Sequence, residues 1–317
     1  MQSLETNSNS TLNGAPKVSI ANTFDASWQA EHLTNWQQSY DQISRGAFRG
    51  QLKQVNLPQL DISREFSSQA LRQECYVERG GFWLGFSQGV QDSRLNGVRA
   101  NNQSLLWHSG QQDFELITEQ NTVIYSVLLE RSLLPDNFYE PAKVASVPAS
   151  QVNAFLYLLN RLLNPAHQYW RASCQQRVIT DAVQSLISGS QTCSVTKPSF
   201  KRRQQIIQEI RAYIMSTDTH LPITMADLCM LTHVSRRTLQ ACFQDVLGIS
   251  AKTFVKAVRL NQIRRCLSDF HDQRPIYQIA NDFGYFHLGQ FSQDYKSMFG
   301  ETAGQTRLNA QRLQEIG

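Results

Sequence analysis

The last third of the chain holds two copies of one pattern, a short helix, a tight turn and a second helix, about fifty residues apart. Two such units at a fixed spacing restrict this region to an all-α domain organised around the helix that joins them. The first copy runs from Thr224 to Leu231, turns through Thr232, His233 and Val234, continues from Ser235 to Leu247 and closes on Gly248. Thr224 and Ser235 can accept hydrogen bonds from the free N–H groups of the helices they open, and Gly248 suits a left-handed helix end. The second copy runs from Ile276 to Phe283, turns at Gly284 and Tyr285, and continues from His287 to Phe299 before Gly300. Leu239, Phe243 and Gly248 align with Phe291, Tyr295 and Gly300 at an offset of 52, whereas Leu228 aligns with Ile279 at 51. The second turn therefore carries one extra residue.

Apolar residues in both second helices recur at helical spacing: Leu239, Phe243, Val246 and Leu247 in one, Phe291, Tyr295, Met298 and Phe299 in the other. Packing that stripe inward turns Arg236, Arg237, Gln240 and Gln244 outward in the first unit, and Gln290 and Gln293 outward in the second. These are side chains that read base edges. Arginine bonds guanine O6 and N7, glutamine bonds adenine N6 and N7, and each good pair gives roughly 1–3 kcal/mol of discrimination. Arginine and glutamine are also ordinary helix-surface residues, but two aligned copies weigh against that reading.

Charge is unevenly spread. Residues 197–317 carry sixteen Lys or Arg against ten Asp or Glu, and residues 1–196 carry fourteen against sixteen, so the balance is +6 after the division and −2 before it. A basic C-terminal part suits a phosphate-bearing partner. A length of 317 residues with 41% apolar content fits two globular domains. No apolar run is long enough to cross a membrane. The start, Met1 to Val18, is polar and lacks a basic-then-apolar leader, which predicts a disordered tail and a cytoplasmic protein. The six cysteines, at 75, 174, 193, 229, 242 and 266, have neither zinc-site nor disulfide-framework spacing. Cys229 and Cys242 are expected to pack in the core of the first unit.

Ahead of the helical region the apolar period is two. Leu52–Leu57, Leu60–Phe66, Cys75–Val77, Phe82–Phe86, Ser104–Trp107, Phe114–Ile117 and Val123–Leu129 are candidate strands, and the turn residues between them suggest a β-barrel or sandwich. Ser27–Ile43, with Trp28, Leu33, Trp36 and Tyr40, is expected to be helical. From Ser150 the period becomes three or four, with Val152, Phe155, Leu156, Leu159 and Leu163 in one stripe and Ile179, Val183 and Leu186 in another. These two helices, at about 150–189, are core and candidate dimer seam. Ser188–Ser199 is small, polar and without period, as a linker would be. Ser199 is expected to cap a basic helix with Ile206, Ile207, Ile210 and Ile214 inside. Ser250 opens the joining helix, whose Phe254, Val258, Ile263 and Leu267 face inward and whose Lys252, Lys256, Arg259, Arg264 and Arg265 are available to phosphates or to neighbouring aspartates.

The expected fold class is thus α+β. The predicted organisation is a disordered tail at 1–26, a β-rich sensing and dimerisation domain at 27–190, a linker at 191–199 and a DNA-binding domain at 200–317, with helix-turn-helix units at about 224–247 and 276–299.

From about Ile206 to Arg307 the ordered set Leu228, Val234-Ser235, Arg237-Thr238-Leu239, Phe243, Gly248-Ile249-Ser250, Arg259-Leu260, Ile279-Ala280, Gly284-Tyr285, Gln290-Phe291, Tyr295-Lys296, Phe299-Gly300 and Thr302 resembles the AraC/XylS family of transcription regulators. The resemblance implies a cupin-like N-terminal barrel and two recognition helices in successive major-groove segments, a geometry compatible with groove openings about 34 Å apart. Base-reading positions carried over are Arg236, Arg237, Gln240 and Ala241, then Leu288, Gly289, Gln290 and Gln293. Ala241, Leu288 and Gly289 depart from the polar residues usual there, so the second unit is expected to read fewer bases. His287 replaces the usual cap, and Ala251 and Ala303 stand where proline is common. Thr224, Ser235, Lys252, Lys256, His287 and Lys296 are the candidates for contacts to the DNA backbone. A narrower resemblance, to ethanolamine-operon regulators, rests on Val234–Gln240, Val258–Asn261 and Gly284–Phe291, with shorter matches at Trp36–Gln38, Tyr40–Gln42, Arg64-Glu65, Ala70–Gln73 and Phe114–Leu116.

What the resemblance implies is an effector-responsive activator with double-stranded DNA, RNA polymerase and a small-molecule effector as partners, and a repressor as the alternative. Asp282 and Asp294 are the acidic residues offered to polymerase, and Trp83, Phe86, Trp107, His108 and Tyr125 are candidates to line an effector pocket. A DNA binder that senses nothing is a further alternative. A cupin enzyme would need clustered ligands, whereas the first 196 residues hold only His32, His108 and His167, far apart. A repair methyltransferase would need four clustered cysteines, and only Cys75 lies in the β-rich half. No enzyme activity, cofactor or metal is therefore expected.

Overall fold

The computed structural model describes residues 16–77, 81–109, 113–134, 143–167, 170–194, 198–216 and 223–316. An α+β fold results, with strands first and helices last. In chain order the N-terminal part contains β1 (Val18–Thr23), α1 (Ala26–Glu31), β2 (Trp36–Gln42), β3 (Gly50–Leu57), β4 (Leu60–Ser67), β5 (Leu71–Val77), β6 (Phe82–Gln88), β7 (Ser93–Leu95), β8 (Val98–Ala100) and β9 (Ser104–Ser109). It continues with β10 (Phe114–Thr118), β11 (Thr122–Leu129), β12 (Lys143–Ser146), α2 (Ala149–Leu162), α3 (Ala172–Gly189) and β13 (Gln191–Ser194). One sheet has the order β1-β3-β4-β11-β6-β9-β12-β13 and a second β2-β5-β10-β7-β8.

Strand alternation builds two cores from one sheet. Trp83 of β6 and Ile124 and Leu128 of β11 point toward the second sheet, where Cys75, Phe114 and Leu116 meet them. Their neighbours Phe82, Leu84, Phe86, Tyr125, Val127 and Leu129 point the other way, onto Val152, Phe155 and Leu159 of α2 and Ile179, Val183 and Leu186 of α3.

The C-terminal part is helical: α4 (Pro198–Met215), α5 (Met225–Thr232), α6 (Arg236–Val246), α7 (Ala251–Ser268), α8 (Ile276–Asp282), α9 (Leu288–Phe299) and α10 (Ala303–Ile316). The apolar stripes of α4, α6, α7 and α9 bury together, including Ile206, Ile210, Leu239, Phe243, Phe254 and Phe291. The start of α5 lies 51 residues before that of α8, and the start of α6 lies 52 before that of α9, which accounts for the extra turn residue.

Three expectations change. Ser27–Ile43 is not one helix: Asp25 accepts from the N–H groups of Ser27 and Trp28 to start α1, Asn35 turns the chain at φ +62, and Trp36 opens β2. Trp36 and Tyr40 lie four apart, a spacing that one helical turn and two strand repeats both satisfy. The tail assigned to 1–26 ends sooner, because Val18–Thr23 pairs with β3 from Val18↔Val55 to Thr23↔Gly50; Met1–Ala15 lies outside the described residues. The linker assigned to 191–199 contains β13, an edge strand on β12, and α4 begins at Pro198 rather than after a Ser199 cap. Proline fits there because the first helical N–H has no partner to lose.

Candidate nucleic-acid interface

Local sequence sets each reading helix. The Thr224 side chain accepts from the Asp227 N–H at 3.2 Å while Asp227 accepts from the Thr224 N–H at 2.8 Å, a reciprocal box that starts α5. The Thr224 hydroxyl, which also donates to the Asp227 carboxylate at 2.7 Å, and the Thr224 N–H together hold that carboxyl below its ordinary value. Ser235 Oγ accepts from the Thr238 N–H at 3.2 Å and starts α6. His287 stands at the same point before α9 without a capping bond from its side chain. Arg236, Arg237, Gln240 and Gln244 on α6, and Gln290 and Gln293 on α9, are all exposed, as are Thr224, Ser235, Lys252, His287 and Lys296. The sixth backbone candidate differs. Lys256 is half-buried in an ion pair with Asp294 at 2.8 Å, so its charge is already engaged.

The two acidic candidates for a polymerase contact are ion-paired as well. Asp294 is held by Lys256, and Asp282 by Arg274 at 2.7 Å. Of the arginines on α7, Arg264 bonds Asp25 and, at 2.9 Å, Glu301, and Arg265 bonds Asp41 at 2.6 Å. Burial opposes the charge on Arg264, but Asp25 and Glu301 more than offset it, and its pKa lies above the usual range. These arginines face the N-terminal domain rather than a duplex. Among the described residues Arg236, Arg237, Lys252 and Lys296 are the exposed cations on and beside the reading helices.

Sequence reasoning missed what holds those helices. The carbonyl of Met298, in the last turn of α9, accepts from the Gly46 N–H at 3.0 Å and from Gln42 Nε2 at 2.7 Å. Such end carbonyls lack partners within the helix. Asn261 of α7 exchanges two bonds with the backbone of Gln42, at 3.1 and 2.9 Å. Arg94, ion-paired with Glu119, lies against Gly248 at the end of α6: a Cβ on that glycine would stand 3.1 Å from Arg94 Nη2. Both helices thus meet the N-terminal domain at their C-terminal ends, and the candidate readers other than Gln244 lie in the N-terminal halves, away from those contacts.

The five pocket candidates are not brought together. Phe86, Trp107 and Tyr125 belong to the core against α2 and α3, whereas Trp83 faces the space between the sheets, and there His108 packs at a tilt on Phe114 with ring centroids 4.8 Å apart. Residues 107 and 108 are adjacent in β9, so strand alternation forbids a shared face. The space between the sheets is filled: its cavity, which includes Tyr40, Glu65, Cys75 and Trp83 in its walls, is about 10 Å³, room for about one water. Burial pushes the Glu65 carboxyl up to about 7, although hydrogen bonds from Gln29 and Tyr40 oppose the shift. A larger cleft of about 400 Å³ lies between the domains, where Trp28 and Tyr40 face Arg264 and Phe270.

A protein-family profile described as a helix-turn-helix domain matches residues 228–309. The XylDLEGF operon transcriptional activator of Pseudomonas putida is 28% identical over 193 residues, which cover 57% of this chain and 58% of that protein. The chain thus spans little more than half the length of that relative. A second activator of the same operon from Pseudomonas putida is 31% identical over 110 residues, 34% of this chain and 65% of that one. Among solved structures, a probable AraC family transcriptional regulator from Rhodopseudomonas palustris is 33% identical, covers 33% of this chain and 97% of its own, and has a TM-score of 0.30. The AraC-like transcriptional activator CuxR is 14% identical, with 83% of this chain and 100% of its own covered and a TM-score of 0.41.

Proposed function

We propose that this chain, of the AraC/XylS family by its C-terminal helix-turn-helix domain, is a sequence-specific transcription regulator that activates in response to an effector. It inserts α6 and α9 into successive major-groove segments of double-stranded DNA. The carrying observation is that Arg236, Arg237, Gln240, Gln244, Gln290 and Gln293 are exposed on two helices whose far ends are both anchored to one domain. Recognition helices of this kind contact bases with their N-terminal residues, which are the free ones here. Activation is favoured over repression by the names of the Pseudomonas putida relatives, each called an operon activator. The same names favour a non-enzymatic, cytoplasmic protein.

Partners follow from the same reading. RNA polymerase is a partner on the activator reading, with Asp282 and Asp294 the acidic residues offered to it, and the effector enters from the interdomain cleft rather than through the filled space between the sheets. A homodimer would use α2 and α3, where Tyr157 of α2 is exposed.

Footprinting of the full-length protein on DNA flanking its gene tests this function. Protection of two segments about one helical turn apart, with affinity falling steeply with salt, is the expected result. Equal binding to every sequence at every position would sink it. Lower target transcription after deletion of the gene is expected of an activator; higher transcription would instead make the protein a repressor.

A further inference from the structure

The second recognition helix begins with apolar side chains in the open. Leu288 is 46% exposed and Phe286 53%, although the other apolar residues of α9, Phe291, Tyr295, Met298 and Phe299, are all buried. By the offset of 52, Leu288 occupies the place of Arg236, and Gly289 the place of Arg237. One unit thus presents two guanidiniums where the other presents an isobutyl group and bare backbone. A Cβ at Gly289 would meet nothing within 4 Å, so that stretch of backbone is open to close approach. Two exposed amides, Gln290 and Gln293, stand in the first two turns of the same helix, and the nearest exposed cation on it, Lys296, lies toward its far end.

Major-groove chemistry narrows what such an edge can meet. The thymine 5-methyl is the apolar group a base pair offers there, and glutamine matches adenine N6 and N7. We propose that the second unit reads an A·T-rich segment, with Leu288 seated on a thymine methyl and Gln290 or Gln293 on adenine. The inference rests on the DNA-binding reading above and gives that reading its second half-site. Phe286, two residues before Leu288, is a second exposed apolar group at this end of the unit. The departure at Leu288 and Gly289 is then a change of base preference, from guanine in the first segment to thymine in the second.

Deoxyuridine lacks only the methyl group of thymidine, so it isolates this contact. The full-length protein is first used to select duplexes from a random pool, and binding is then measured with each thymine of the selected sites replaced in turn by deoxyuridine. Loss of about fourfold in affinity is expected at one or two positions of a single half-site, the factor that burial of one methyl carries. Leu288→Ala should abolish that sensitivity while leaving the first half-site preference and the salt slope unchanged. Selective binding that is indifferent to deoxyuridine at every position overturns the proposal and leaves the regulator reading intact. Failure to enrich any sequence overturns both. If Leu288→Ala leaves DNA affinity and deoxyuridine sensitivity untouched but abolishes activation, the apolar edge docks a protein and the proposal is wrong.

Discussion

Glu65 shows how one buried group can set a pH response. Its carboxyl sits among the Gln29 amide and the Tyr40 phenol, and burial raises its pKa from an ordinary 4.5 to about 7. The folded state therefore holds this proton more tightly than the unfolded chain. Its contribution to stability is complete below about pH 4.5 and is lost as pH rises through about 7, a change of about 3 kcal/mol. Glu65→Gln removes the titration, so denaturant unfolding of the variant should lose this downward slope between pH 5 and 7, and an unchanged slope would refute the assignment. On the reading helices, roles separate by what each side chain touches. Gln240→Ala should relax preference at one base position by roughly 1–3 kcal/mol, whereas Lys252→Ala should weaken all sequences alike and lower the salt slope by about one. Quantitative binding to a panel of single-base variants distinguishes the two, and identical profiles would remove Gln240 from the readers. Lys256 is unsuited to that comparison because its ammonium already bonds Asp294.

At the scale of elements, the two turns solve one problem differently. The first turns at His233 with φ +54, and the second at Gly284 with φ +79, where a Cβ would stand 2.9 Å from Arg259 Nη1. Gly284→Ala should cost about 1–2 kcal/mol from the left-handed backbone alone. Displacement of Arg259 adds to that, so the variant should melt lower; an unaltered melting temperature would show that the turn relaxes freely. The helices on either side were legible because a stripe at i, i+4 and i+7 has no strand equivalent when it is sustained. Trp36 and Tyr40 were not, since a single interval of four fits both periods and only Asn35 and the pairing with β5 decide it. Strands β7, β8, β12 and β13 are three or four residues long, too short to display an alternation. Strand alternation divides the five aromatic and histidine candidates between two faces. Trp83 and Phe86 lie three apart in β6, and Trp107 and His108 one apart in β9, so neither pair can share a strand face.

For the whole molecule, what sequence could not disclose is how the N-terminal half grips the C-terminal half. The bonds that do so join residues remote in sequence, 219 positions apart for Gln42 and Asn261 and 224 for Asp41 and Arg265, and no local period announces them. Asp41 is the hub. It is buried on the second sheet beside Arg72 at 3.9 Å, and it receives Arg265 of α7 at 2.6 Å and Arg211 of α4 at 3.6 Å, while Arg211 also bonds Glu74 at 2.5 Å. Because α7 carries both units, whatever moves β2 moves the frame that spaces the recognition helices. Arg265→Ala removes only contacts that cross between domains, to Asp41, the Tyr40 carbonyl and Ser39. Arg72 and Arg211 remain to compensate Asp41, so the cost should fall short of the about 3–5 kcal/mol of a stranded buried charge. Loss of that coupling should divide a single cooperative calorimetric transition into two, with the C-terminal domain melting first. Affinity for a two-segment DNA site should fall as the spacing between recognition helices loosens, while affinity for a single segment stays the same. One undivided transition at the original temperature, with both affinities unchanged, would mean that the charge cluster does not couple the domains.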